Sequence, residues 1–350
     1  RGSGTVAAGA PGGSASVGGA AGASCGTGRR GQGVAARTIS LGFEYSSDIG
    51  QANSTLGGNS WSADEPKSDG EAFIKYFNET GGLCGRTIVP VWADEKVISG
   101  STADQADQAA CTTWTQDNKV FAAMDLANFR PTRLDCLTKA GVLAVDTGTL
   151  LTSDVTEAAQ YFNLLIQPYK LTLDRFFRVY VDQLATAGYF ASGAKVGLLY
   201  TDVPAEQRAV NRALIPALKA KGVTLADQAR VTHTYNIDSL GAAESQTNSA
   251  VLRFQSEGIT HVLAPIDEFS LTAFAQRAGQ QKYYPRYAMS TSDQDDARGG
   301  MGQSADWNAG ALDVVWQPAL SWAEAQADPG NKVCLDILAK EGHRPPHDQG

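Results

Sequence analysis

Residues Ala72–Glu95 read AFIKYFNETGGLCGRTIVPVWADE. Phe73, Tyr76 and Phe77 fall on one helical face. Gly81 and Gly82 stop that helix, because glycine takes the left-handed backbone of a helix end without steric cost. Gly85 sets a second turn, and Thr87–Trp92 reads as a largely buried strand with Asp94 and Glu95 where it leaves the sheet. A helix returned by glycine turns into a strand is half of a parallel α/β unit.

Around this unit the composition sets bounds. A chain of 350 residues is too long for one small core and implies two domains or one large α/β domain. With 43% hydrophobic and 19% charged residues it falls among ordinary globular proteins. A net charge of −8 argues against a nucleic-acid surface, which needs a clustered basic face. No apolar run reaches the roughly 18 residues of a membrane span. The cysteines are Cys25, Cys84, Cys111, Cys136 and Cys334, and none forms a Cys-x-x-Cys pair, so a structural zinc site is not expected. Cys111 lies late in an expected helix before a strand and Cys136 in the helix after it. Such neighbours can meet as a disulfide in an exported protein, and buried free thiols fit the same positions.

Residues 1–36 are rich in Gly, Ala and Ser and read as a flexible tether, the remainder of a removed leader. Its Gly26–Gly31 matches G-x-G-x-x-G, but no strand precedes it and no amphipathic helix follows, so it carries no cofactor reading. Cys25 lacks the Leu of a lipoprotein cleavage box, which leaves lipid attachment there, or at a lost upstream Cys, open. Thr38–Tyr45 is the first strand, followed by a polar loop, Ser46–Ser62, containing Asp48, Gln51, Asn53 and Trp61. In an open parallel sheet such loops at the carboxyl ends of strands line the ligand crevice. Helix then alternates with strand: helices over 102–117 and 131–140, strands over 119–124 and 142–145, giving one lobe to about Thr156. A second lobe follows, with helices over 173–190, 204–221, 249–257 and 268–279, and strands over 195–200, from 223, within 258–264 and over 286–290. Pro216 inside the 204–221 helix should kink it.

The pattern Asn-x-x-Gly-Gly-x-x-Gly-Arg before an apolar strand and an Asp resembles the second helix and strand of type I solute-binding proteins. These are the extracytoplasmic receptors of ABC importers typified by the leucine/isoleucine/valine-binding proteins. Later segments, Gly193–Asp202 (GAKVGLLYTD), Leu218–Val223 (LKAKGV) and Glu257–Leu263 (EGITHVL), resemble the second lobe of the same family in the same order. The likeness covers about Thr38–Trp316. It implies two Rossmann-like α/β lobes with parallel sheets joined by a multi-crossing hinge. The N-terminal lobe is then 37–156 with 315–350, and the C-terminal lobe 157–314. The resemblance also implies an exported, monomeric protein that closes its lobes on a small-molecule ligand and presents it to a membrane ABC permease. A ligand-sensing module of the same fold is the alternative. In actinobacterial-looking members the family implies a Cys111–Cys136 bridge. Members continue past the point equivalent to His343–His347 with further helix and strand, which implies a missing C-terminal part here and a lost partner for Cys334.

No Gly-x-Ser-x-Gly elbow, phosphate loop or His-Glu-x-x-His is present, so the expectation is a binding protein without catalytic residues, cofactor or metal. His261 reads as a packed core residue, and His343 and His347 as a solvated tail. A zwitterionic ligand needs donors for its carboxylate and a buried carboxylate for its ammonium. By the resemblance, Asn128, Thr147 and Thr149 match the carboxylate-holding positions, and Asp267, Glu268 or Asp293 the ammonium partner. Gln51 enters from the first loop and Tyr200 and Asp202 from the first strand of the second lobe, while Phe129, Trp61, Tyr169 and Tyr200 each fit an aromatic wall or the core equally well. The family's Ser/Thr-rich run after the third strand is replaced by Asp125-Leu126-Ala127-Asn128-Phe129. Asp125 there would repel a carboxylate, which puts an ordinary amino-acid ligand in doubt.

Overall fold

The computed structural model describes residues 30–48, 51, 65–96, 98, 102–125, 130–148, 151–168, 170–191, 193–232, 237–291, 310–316 and 322–343. The unit at Ala72–Glu95 forms as expected: helix α1 (Glu65–Glu79) turns through two glycines into strand β2 (Thr87–Asp94). Gly82 has φ +67°, and a Cβ there would lie 2.1 Å from the Arg86 carbonyl oxygen, so no other residue fits this turn without a shift.

Strand β1 (Thr38–Tyr45) lies between β2 and β3 (Ala122–Asp125) in a five-stranded parallel sheet completed by β4 (Leu143–Asp146) and β5 (Leu165–Ile166), in the order β2-β1-β3-β4-β5. The second sheet holds β6 (Val196–Thr201), β7 (Leu225–Val231), β8 (His261–Leu263), β9 (Arg286–Ser290) and β10 (Leu312–Val314), in the order β7-β6-β8-β9-β10. The two orders are one topology used twice. In each sheet the chain direction reverses beside the first strand, the place where open α/β sheets form a crevice. All six residues of β6 are buried, as in a strand covered by helices on both faces.

Among the described residues, the helices of the first lobe are α1, α2 (Ala103–Thr112), α3 (Pro131–Lys139) and α4 (Val155–Gln160). The second has α5 (Leu173–Thr186), α6 (Pro204–Ala209), α7 (Ile215–Ala220), α8 (Ile237–Ser256) and α9 (Glu268–Gln280). Helices α10 (Trp322–Ala327) and α11 (Pro329–Lys340) follow β10, and α11 lies on α1, with Lys75 Nζ 2.7 Å from Glu341 Oε2.

Several expectations need correction. The first sheet runs through β5, so its lobe extends past Thr156, and that division falls inside α4. The tether reading reached Ala36, but Gly31 and Val34 bridge, Val34 bridges Ile39, and Val34 packs on the core beneath β1. Helix α8 begins at Ile237 rather than Ser249, because ahead of Ala250, Val251 and Phe254 its buried face is carried by small residues, Ala243 and Thr247. Such residues give little hydrophobic periodicity to read. Pro216 causes no break, because a π-helical turn, Val210–Leu214, precedes it and the Ile215 N–H reaches back to the Val210 carbonyl. The wider turn accommodates the proline ring and its missing N–H.

Trp114 is fully buried against β1, with Nε1 donating to the Val91 carbonyl at 3.0 Å. Gly42 of β1 lies under that indole, and a Cβ there would meet its ring at 2.8 Å. Gly42→Ala is therefore expected to cost about 1–3 kcal/mol by overpacking, read as a lowered denaturant midpoint at unchanged slope. Cys111 and Cys136 form a disulfide between α2 and α3. The bridge spans 25 residues, so the double variant Cys111→Ala/Cys136→Ala is expected to lose about 3 kcal/mol in chemical denaturation. Cys84 is also disulfide-bonded, and Cys334 is free and exposed.

Candidate functional site

A cavity of about 470 Å³ opens between the carboxyl ends of the two sheets. Thr102–Asp104, after β2, and Arg130–Thr132, after β3, line it from the first lobe, with Leu151, Thr152 and Glu157 from the segment after β4. The second lobe contributes Thr201 and Val203–Glu206 after β6, Pro265–Asp267 after β8, Ser290 at the end of β9 and Trp316 after β10. Helix starts are held at this rim by their caps: Thr102 accepts from Gln105 N and Asp267 from Ser270 N, while Pro131 and Pro204 stand in the first turns of α3 and α6.

The wall is mainly apolar, with Leu173, Phe176, Val203, Pro204, Ile266 and Trp316. Trp316 packs edge-on against Phe176 at 4.9 Å between ring centres. Its buried indole Nε1 has no hydrogen-bond partner among the described residues. Glu206 is 5% exposed; Oε2 accepts from the Thr201 N–H at 3.2 Å, while Oε1 has no partner among the described residues. Burial pushes this carboxyl up to about 8; hydrogen bonds from Thr201 pull it down and the nearby Asp267 carboxylate adds to the rise. Glu157 is also raised, by burial, although Arg208 Nη2 lies 2.9 Å away.

Beneath the first-lobe rim lies a buried ion network. Arg133, 1% exposed, donates through Nη1 to Glu44 Oε1 at 2.7 Å and to Asp125 Oδ2 at 3.2 Å, and through Nη2 to Glu95. Its Nε lies 2.8 Å from Asp107 Oδ1 without the alignment of a hydrogen bond. Arg130 holds Asp107 with two donors, at 2.7 and 2.8 Å, and also Glu95. Burial raises Asp107; in Glu95 the charges and hydrogen bonds of Arg133 and Arg130 outweigh burial and hold the carboxyl low.

Of the residues expected at the site, Asp267 lines the cavity, with both carboxylate oxygens accepting from Ser270. Glu268 is the first residue of α9 beside it. Asp125 does not line the cavity but is buried below it on Arg133, because the guanidinium pulls the carboxylate into the core. Thr147 does not reach the cavity either; it donates to the Asp125 carbonyl at 2.6 Å. Tyr200 is packed into the second-lobe core, and Asp202 faces outward to Gln207 and Arg230. Gln51 is exposed. Asn128, Phe129, Thr149, Asp293, Trp61 and Tyr169 lie outside the described residues. His261 is half-buried, edge-on to Tyr189 at 4.9 Å. Glu206, Phe176 and Trp316 were missed: a first-turn glutamate and two aromatics have no local pattern that separates a cavity wall from a surface or a core. Among the described residues, no group of three or more His, Cys, Asp or Glu is arranged to hold a metal ion, and no helix is long and apolar enough to cross a membrane.

The fold matches many solved structures. A fatty acid ABC transporter substrate-binding protein from Thermomonospora curvata superposes with TM-score 0.60 at 17% identity, covering 89% of this chain and 72% of that one. A solute-binding protein of an ABC transporter from Rhodopseudomonas palustris BisB5, in complex with 3,4-dihydroxybenzoic acid, gives 0.58 at 15% identity, over 88% and 75%. A possible leucine/isoleucine/valine-binding protein from Rhodopirellula baltica SH 1 gives 0.57 at 12%, over 88% and 76%. No curated protein sequence matches significantly. The profile of the periplasmic binding protein family matches residues 55–328, across both lobes and the cleft they frame, and the chain belongs to that family.

Proposed function

We propose that this protein is an extracytoplasmic solute-binding protein that closes its two lobes on a small amphipathic molecule and delivers it to an ABC-type importer. The observation that carries the reading is the cavity of about 470 Å³ walled by residues from both sheets, where a mainly apolar lining surrounds a few buried polar groups. That composition is typical of small-molecule sites. Family membership and the substrate-binding proteins among the structural neighbours support it. Lobe closure around a hinge is the expected response to ligand.

A thermal-shift screen of the purified protein against amino acids, amides, amines, sugars and aromatic acids tests this, since a ligand of the native state raises the melting temperature with its concentration. A concentration-dependent rise with one chemical class is the expected outcome. A flat response from well-folded protein across all classes would remove the solute-binding reading.

A further inference from the structure

The cleft is built against carboxylates. Four of the helices that start at its rim carry an acid there, Asp104 on α2, Glu157 on α4, Glu206 on α6 and Asp267 capping α9, while α3 has none in its first turn. These acids answer the positive helix ends that would otherwise attract an anion. The one guanidinium among the described lining residues, Arg130, is held by Asp107 and Glu95, so its charge is already matched. Arg208 is similarly held by Asp154 and Glu157. Against this stands Glu206, which lines the cavity and whose Oε1 is buried and has no partner among the described residues. A buried carboxyl oxygen left without a donor costs free energy that a ligand N–H group would recover. Phe176 and Trp316 line the same cavity and offer π faces of the kind that attract an organic cation.

From these features we infer that the ligand is an organic amine with a compact apolar body and no carboxylate, its ammonium group donating to Oε1 of Glu206 and its body lying against Phe176 and Trp316. The inference rests on the solute-binding reading and names its ligand class. Seating an ammonium requires the ionised form of Glu206, so binding at pH 7 releases the proton that burial holds there. Asp267 and Tyr200 interact with that carboxyl as acids, while Asp104, Glu157 and the paired Arg130 line the same cavity and Arg208 is held by Glu157.

The experiment compares isobutylamine and benzylamine with isobutyrate, benzoate and benzyl alcohol by thermal shift and titration calorimetry, on wild type and Glu206→Gln. Gln can still accept from the Thr201 N–H, so the variant keeps its fold. The amines are expected to bind wild type and to weaken about 30-fold in the variant, as for loss of a charged hydrogen-bond partner. At pH 7, calorimetry in two buffers of different ionisation enthalpy should show about 0.9 proton released by wild type and none by the variant. Binding of the carboxylates or the alcohol with no loss in Glu206→Gln would overturn the amine class and leave the solute-binding reading standing. Amine binding without proton release and without dependence on residue 206 would overturn it too. No binding by any probe, together with a flat broad screen, would remove both readings.

Discussion

Arg133→Ala is expected to unfold the first lobe. Its guanidinium is 1% exposed and holds Glu44, Asp125, Glu95 and Asp107, of which Asp107 and Asp125 are themselves fully buried. Removing the cation leaves Arg130 on Asp107 and Glu95 and takes the guanidinium from Glu44 and Asp125, in a medium that solvates carboxylates poorly. Breaking a buried pair from one side typically costs about 3–5 kcal/mol, and several partners at once place this variant at or beyond the upper end. Circular dichroism at pH 7 should show loss of cooperative unfolding in the first lobe. Burial already raises Asp107, so lowering the pH far enough to protonate it should restore part of the structure. A variant as stable as wild type would mean that the network contributes nothing to folding. Arg133→Met with Asp125→Leu, which removes charge on both sides, should fall between the two.

Glu206→Gln is expected to be more stable than wild type as pH rises. The unfolded carboxyl ionises near 4.5 and the folded one is pushed up to about 8. Below pH 4.5 both states are protonated and the substitution is nearly neutral. Between 4.5 and 8 the unfolded chain ionises while the folded protein holds its proton, so wild type loses stability across that window. At about 1.4 kcal/mol per pH unit the loss reaches about 4 kcal/mol at pH 8. The variant cannot ionise and is spared it. Its melting temperature should match wild type at pH 4.5 and exceed it by roughly 5–10 °C at pH 8. A constant difference across pH would mean that Glu206 titrates as an ordinary surface acid. A bound amine should shrink the gap, because it favours the charged form of the wild-type carboxyl.

Local order was largely legible in the chain. The glycines after α1, the apolar runs at β1, β6 and β9, and the helix starts at Pro131, Leu173 and Glu268 each follow from neighbours a few residues away. Alternation of these elements led to two parallel-sheet lobes, and the structure has two five-stranded parallel sheets of matching order. Where small residues or a π turn carried the packing, as in α8 and before Pro216, the same rules lost the boundary or foresaw a break that is not there.

The site depended on contacts no local pattern contains. Asp125 and Glu206 are both acids near the carboxyl ends of strands, and the sequence offers no means of ranking them. The fold brings Arg133, eight residues on in the chain, under Asp125 and commits that carboxylate to the core. It sets Glu206 in the cavity wall beside Thr201 and Asp267, from two strand ends, and leaves one of its buried oxygens without a partner among the described residues. Backbone conformation is decided by turn chemistry and hydrophobic period over short spans, so the sequence by itself determined the elements, their alternation and the α/β class. Burial and charge pairing are sums over residues far apart in the chain, so only the tertiary structure decided which acid is a structural anchor and which one lines the cleft.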